Sequence, residues 1–163
     1  MILEHAQKLA LEVQETIRPY CVAGHCEVAG SIRRQKPANI KDIEIVAIPD
    51  NRFLSELQGR VNFRWGAPEI GRFPSKYTRV RGVLNIDFFW CTPQTWGLNF
   101  FIRTGSAEFV KMALVRWKQL NGGGGYSEGA RLWRNSKQVV ETPTEMAVFE
   151  ALGWTWVPPE KRG

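Results

Sequence analysis

The sequence predicts an α+β fold in which a mixed sheet covered by helices is followed by a smaller α+β unit. Three features predict it: an amphipathic N-terminal helix, a series of short β-rich runs, and a change to helical periodicity beyond Pro93. With 163 residues the chain can bury one good core plus a small satellite, and 44% hydrophobic with 23% charged residues is an ordinary globular composition. Neither disorder nor a large multidomain enzyme is expected.

Leu3, Ala6, Leu9, Ala10, Val13 and Ile17 recur at helical intervals and Pro19 follows, so residues 2–18 are expected to form a helix whose apolar face covers a sheet. Strands are expected at Glu27–Ala29, Ile43–Ile48, Val61–Trp65, Tyr77–Val80 and Val83–Trp90, with a helix at Phe53–Gln58. Two helices should follow, Pro93–Ile102 and Ala107–Leu120, broken at Thr104-Gly105-Ser106. That break divides the chain into residues 1–104 and 105–163. Gly122–Gly125 forms a loop, Ala130–Arg134 a short strand, and a last helix is marked at both ends. Thr142 is its expected cap, with Pro143 in the first turn, Glu145 completing a Thr-x-x-Glu capping box and Gly153 stopping it.

The net charge of +6 is unevenly distributed: residues 1–58 carry −1, residues 59–104 carry +5 and residues 105–163 carry +2. The central basic segment, with Arg60, Arg64, Arg72, Lys76, Arg79 and Arg81, suits either a phosphate backbone or a solvated basic face. Cys21, Cys26 and Cys91 have no histidine neighbours at zinc-site spacing, and buried free thiols are favoured over a Cys21–Cys26 bridge. The N-terminal residues carry Glu4, Lys8, Glu12 and Glu15, unlike a signal peptide or membrane span, so a cytoplasmic protein with no membrane partner is expected.

Asp42 and Glu44 open an apolar strand, and alternation places both side chains on one face, roughly 6.5 Å apart along the strand at about 3.3 Å per residue. Asp87 lies between Ile86 and Phe88 in another strand, where a lone buried charge costs several kcal/mol. A shared divalent cation would relieve both penalties, and hard oxygen ligands without histidine or cysteine point to Mg²⁺ or Mn²⁺. Any one of these acids alone is more often a strand-end residue paired with arginine. Just upstream, Ala29-Gly30-Ser31-Ile32-Arg33-Arg34 has the form of a strand, a glycine turn and a helix start. Its backbone N–H groups and the Ser31 hydroxyl could hold phosphate oxygens, with Arg34 or Arg33 adding charge.

Gly-Ser, then Asp-x-Glu eleven residues on, then a third acid on a later strand resembles the nucleotidyltransferase superfamily pattern. More narrowly, the chain resembles the DNA polymerase X family, from about Glu12 to Gly163. The Thr104-Gly105-Ser106 turn and the tail from Val148-Phe149-Glu150-Ala151-Leu152-Gly153 through Val157-Pro158-Pro159-Glu160 carry that narrower similarity. The resemblance covers about the two C-terminal subdomains of a full member. It implies a nucleotidyltransferase palm over residues 1–104 and a thumb over residues 105–163.

By position, the resemblance implies that Asp42, Glu44 and Asp87 are the catalytic acids and hold two Mg²⁺ ions, with Mn²⁺ as a substitute. It implies that Gly30, Ser31 and Arg34 hold the nucleotide's phosphates, that Gly105 sits against its sugar and base, and that Lys111 lies near the template base. Arg116 is a further candidate contact to DNA. The function implied is DNA-directed DNA polymerase, adding dNTPs to a primer in gapped or primer-template DNA, as a monomer in gap-filling repair. The alternative is a template-independent nucleotidyltransferase acting on RNA ends or a small acceptor. With 29 residues before Gly30, deoxyribose phosphate lyase activity is not expected. The chain departs from the family at Glu44, where polymerase beta has aspartate, and at Asn85, where an arginine usually flanks the third acid. It departs again at Ile102-Arg103, Ala107 and Val110, which replace residues that usually meet the nucleotide.

Overall fold

The computed structural model describes residues 1–37, 39–52, 56, 67–70 and 77–163. Helix α1 (Leu3–Ile17) packs Ala6, Ala10, Val13 and Ile17 against a five-stranded sheet. Its strands are β1 (Cys21–Val28), β2 (Asp42–Pro49), β3 (Ala67–Ile70), β4 (Tyr77–Arg81) and β5 (Asn85–Trp90), in the order β1-β2-β5-β4-β3. β2 and β5 run parallel, while β1–β2, β5–β4 and β4–β3 are antiparallel. The fold class is therefore the expected one, a mixed sheet with helices.

Period-two alternation sorts the two central strands. Ile43, Ile45 and Ala47 of β2, with Ile86, Phe88 and Trp90 of β5, join the core under α1. Val46, Ile48 and Phe89 belong to a second core on the opposite face, with Trp96 and Cys91. Burying each large apolar side chain here stabilises by about 1.5–3 kcal/mol, which fixes the register and hence the face on which Asp42, Glu44 and Asp87 must lie.

Several boundaries move from the sequence expectation. β1 extends back to Cys21 through an irregularity between Cys21 and Cys26, where Gly24 has φ +77° and breaks the alternation. β5 starts at Asn85, because the backbone bends over residues 82–84 and leaves Val83 89% exposed. β3 was not anticipated. The expected helix Phe53–Gln58 and strand Val61–Trp65 fall largely outside the described residues, as do Arg60, Arg64, Arg72 and Lys76 of the basic segment.

Beyond β5, α3 (Trp96–Thr104) leads to α4 (Ala107–Leu120), a hairpin sheet of β6 (Tyr126–Glu128), β7 (Arg131–Asn135) and β8 (Gln138–Val140), and α5 (Glu145–Leu152). α3 begins three residues later than expected, and it serves two cores. Trp96 packs with the sheet residues Val46 and Phe89, whereas Leu98 and Phe101 pack with Phe109, Trp117, Phe149 and Leu152. Ser106 caps α4 by accepting from the Phe109 N–H, at 3.3 Å. α5 starts later than its sequence signature suggests: Thr144, not Thr142, is the cap and accepts from Ala147 N–H at 3.1 Å. Gly153 ends it in the left-handed conformation, as expected. Cys21, Cys26 and Cys91 are buried free thiols.

Candidate active site

The sheet face opposite α1 carries an ordered row of polar side chains. The parallel register sets Glu44 beside Asp87, and the antiparallel register sets Arg79 beside Asp87 on its other side. Asp42, Glu44, Asp87 and Arg79 thus share one face, drawn from three adjacent strands. Together with Tyr77, Phe89, Asn99 and Arg103, the last three of these acidic and basic groups line a cleft of about 610 Å³. Gly129 and Ala130, in the β6–β7 turn of the C-terminal unit, line it too.

Asp87 is only 4% exposed and is fully engaged. Arg79 donates to both its carboxylate oxygens, from Nε at 2.7 Å and Nη2 at 2.9 Å, and the Tyr77 hydroxyl donates to Oδ1 at 2.8 Å. Arg79 of β4 thus pairs with the third acid across the ladder. Burial, then the hydrogen bond to Asp87, raise the Tyr77 hydroxyl above its ordinary range, and the hydrogen bonds that Arg79 itself makes to Asp87 raise its guanidinium.

Glu44 is less well compensated. Burial first, then the Asp42 and Asp87 charges, push its carboxyl up to about 7, against the opposing influence of Arg103 and Arg34. Asp42 is also raised, by burial and then by Asp87. Glutamate's extra methylene carries the Glu44 carboxylate onto the Gly30 turn, where an added Cβ would lie 2.0 Å from Oε2. Gly30 also has φ +64°, so both space and backbone demand glycine there. Among the described residues, no three acids, histidines or cysteines are already gathered closely enough to enclose a metal ion.

α2 (Gly30–Arg33) follows directly, which brings Ser31 to the same turn. Arg34 donates to the Thr104 carbonyl, and an added Cβ on Gly105 would lie 2.7 Å from its Nη1. Gly105, with φ +70°, therefore makes room for Arg34 in this structure. The Nε atoms of Arg34 and Arg103 are buried without hydrogen-bond partners. Arg103 lies over the Phe89 ring, 3.9 Å from its centroid.

Arg33 has a different task. It pairs bidentately with Glu145 of α5, at 2.8 Å for both contacts, donates to the Thr104 hydroxyl and lies 3.8 Å from the Phe100 centroid. Arg162, 2% exposed, donates to the same glutamate at 2.7 Å. Its guanidinium also sits 5.0–5.7 Å from the ring centroids of Phe149, Phe109 and Phe101. Burial alone would raise Glu145, but hydrogen bonds from Arg33 and Arg162 outweigh it and hold the carboxyl below its ordinary value. The glycine turn is thereby bolted to the C-terminal unit.

Lys111 is exposed on α4 and borders a second groove, away from the acids. Arg116 lies roughly 140° further round that helix and points its Nε at the Leu152 carbonyl of α5, 3.4 Å away. The two are not brought together.

Residues 101–163 match the family model described as the DNA polymerase beta thumb. The C-terminal unit is similar to a polymerase beta thumb. The match starts within α3, at Phe101, a residue that this helix contributes to the core shared with α4 and α5. No curated protein matches the chain. No helix among the described residues is long and apolar enough to cross a membrane.

Around the thumb-like unit and the acid-bearing face, Arg79, Tyr77 and Arg103 are the residues whose site roles sequence reasoning missed. Arg79 was counted only as part of a basic run and Arg103 only as a departure from a pattern. For Arg79 a signal was available: Tyr77 and Arg79 alternate with Thr78 and Val80, which puts both on one face of a strand preceding the third acid.

Proposed function

We propose that this chain is a nucleotidyltransferase of the DNA polymerase X kind, with residues 1–104 acting as its palm and residues 105–163 as its thumb. The observation that carries this reading is the Arg33–Glu145 pair, which joins the glycine turn beside Glu44 to a segment that matches a polymerase beta thumb. An acid-bearing face and a thumb-like unit therefore border one cleft. Its substrates are a dNTP and a primer end in gapped or primer-template DNA.

The donor chemistry fits a hard divalent cation: the acids offer only oxygen, and burial, then neighbouring carboxylates, hold Asp42 and Glu44 above their ordinary carboxyl range, Asp87 acting on Asp42 and Asp42 with Asp87 acting on Glu44. When bound by Asp42, Glu44 and Asp87, two Mg²⁺ ions, or Mn²⁺ in their place, would activate the primer 3′-hydroxyl and neutralise charge on the departing pyrophosphate. Arg79 and Tyr77 orient Asp87, and Arg79 must yield at least one carboxylate oxygen for that residue to act as a ligand. Ser31 and Arg34 hold the phosphates from the glycine turn. Arg103, which opposes the charge of Glu44, stands ready on the other wall of the cleft.

The test is extension of a labelled primer with and without template, supplied with deoxy- or ribonucleotides. Template-dependent addition of dNTPs is expected, and Asp87→Asn should abolish it while DNA binding persists. Addition that ignores the template would replace this reading with terminal transfer, and activity within about threefold of wild type for Asp87→Asn would remove the metal assignment.

A further inference from the structure

The β6–β7 hairpin joins two cavities. Its turn, at Gly129 and Ala130, lines the acid-bearing cleft, while its opening residues, Tyr126 and Ser127, line a groove of about 550 Å³ against α4. Apolar Val110 and Leu114 form the floor of that groove with Tyr126, and Lys111 and Lys118 border it. No described acid lines it, so its charge complements a polyanion.

Tyr126 and Trp133 are paired across the hairpin, and Trp133 is paired with Val139 on the next strand. Leu132 and Arg134 take the opposite face, where Leu132 is buried in the core and Arg134 lies over the Trp117 ring. The outer face is therefore aromatic: the Tyr126 and Trp133 rings lie parallel within 6°, with centroids 6.2 Å apart, and Tyr126 remains 38% exposed. A cross-strand aromatic pair stabilises a hairpin by itself. The exposed Tyr126 ring beside Lys111 and Lys118, backed by the partly exposed Trp133, additionally supplies the two elements that hold unpaired nucleic acid, a stacking surface and a positive border.

The geometry points to Tyr126 and Trp133, bordered by Lys111 and Lys118, as a stacking platform for the unpaired stretch of a nucleic-acid strand leaving the cleft. This rests on the polymerase reading above and adds to it the form of nucleic acid that the thumb-like unit grips. From Gly129 back to Tyr126 the hairpin spans about 10 Å at roughly 3.3 Å per residue. Stacking tolerates any base, so the grip is insensitive to sequence.

Fluorescence anisotropy on the full chain tests the platform, with a labelled oligothymidylate of about 16 nucleotides and a blunt duplex of equal length as probes. Tyr126→Leu, which keeps apolar bulk but removes the ring, should weaken oligothymidylate binding at least about fivefold and leave duplex binding within about twofold. Tyr126→Phe should retain wild-type affinity for both. Lys118→Ala should lower the salt slope for oligothymidylate by about one. Thermal melting of each variant accompanies the titrations, so that loss of the hairpin is recognised as loss of both probes together. Equal losses on both probes at an unchanged thermal midpoint, no loss with Tyr126→Leu, or a folded Tyr126→Phe as weak as Tyr126→Leu would each overturn the platform. Wild type that ignores oligothymidylate would overturn it in favour of a protein partner. Asp87→Asn should bind oligothymidylate as wild type does. A chain that grips oligothymidylate through Tyr126 yet transfers no nucleotide would keep the platform and lose the polymerase reading, and the reverse result would do the opposite.

Discussion

Glu44 and Glu145 are both glutamates sunk into the molecule, and their surroundings push them in opposite directions. Glu145 accepts from Arg33 and Arg162 and is held below its ordinary carboxyl value. Glu44 faces Asp42 and Asp87, with Arg103 and Arg34 only partly offsetting them, and rises to about 7. The first is a finished ion cluster, complete within the chain. The second is an excess of negative charge that protein groups leave only partly compensated, as expected where a cation is to be held and not where two units are to be fastened. On the proposed reading, the distinction separates charge buried to fasten two units from charge buried to await a cation.

The comparison breaks most visibly at Glu145. Glu145→Ala should strand two guanidinium groups, one of them fully inside a cage of aromatic rings, and cost about 3–5 kcal/mol in urea unfolding. The pH dependence has a defined sign. A carboxyl depressed in the folded state contributes stability above its unfolded value, near 4.5, and loses it as pH falls through the folded value. Glu145→Ala should therefore differ from wild type most at neutral pH and least in acid. Equal stability of the two proteins at pH 7 would mean that the cluster contributes nothing net.

Glu44→Gln should do the reverse. A carboxyl raised from 4.5 to about 7 contributes stability that is complete below pH 4.5 and is lost as pH rises through 7. In chelator at pH 8 the glutamine variant should be more stable than wild type by up to about 3 kcal/mol, at 1.36 kcal/mol per pKa unit, and the gain should vanish near pH 4. The same substitution should abolish nucleotide transfer. A variant no more stable than wild type at pH 8 would show that Glu44 is compensated after all.

Divalent cations offer a gentler probe of the same charge. Mg²⁺ or Mn²⁺ at pH 8 should raise the thermal midpoint of wild type, with a stabilisation of about 2.7 kcal/mol when the ion is a hundredfold above its Kd. At pH 5, where Glu44 is protonated, the rise should shrink, and Asp42→Asn should reduce it at pH 8. A shift that is the same at both pH values would place the ion elsewhere.

Much of this contrast was legible before any coordinates, but unequally. Asp42 and Glu44 could be placed on one strand face because a period of two is a local property, readable from the apolar partners Ile43 and Ile45, whereas only the family resemblance implied that Asp87 joins them. α4 was legible to the residue because Ser106 and the apolar spacing both mark it. What escaped depends on pairings distant in sequence. Arg33 and Glu145 are 112 residues apart, and nothing in either neighbourhood announces the other. Arg79 reaches Asp87 across a ladder whose register the sequence leaves open, and Gly30 is required by a glutamate side chain arriving from another strand. Gly105 likewise makes room for Arg34, a contact that no local pattern encodes.

The smallest expected effect concerns the threonines that precede Glu145. In sequence, Thr142 and Glu145 form a capping box, which would make Glu145 a local helix-end group instead of the anchor of a distant arginine. In the structure the Thr142 backbone is committed elsewhere: its carbonyl accepts from Gly97 N–H at 2.8 Å, at the start of α3. Gly97 fits so closely that an added Cβ would lie 2.1 Å from the Thr144 carbonyl oxygen and 2.2 Å from that of Thr142. That contact keeps Thr142 out of the helix and shifts the cap to Thr144, leaving the Thr142 hydroxyl buried without a partner. Thr144→Ala should accordingly cost about 1 kcal/mol, the usual value of a lost cap. Thr142→Val, which replaces an unsatisfied hydroxyl by a methyl of similar shape, should be neutral or stabilising by up to about 1 kcal/mol. Chemical denaturation of the two variants side by side decides the matter. If Thr142→Val is the more destabilised, the capping box operates, Glu145 is partly occupied at its own helix end, and its contrast with Glu44 is smaller than the arginine cluster implies.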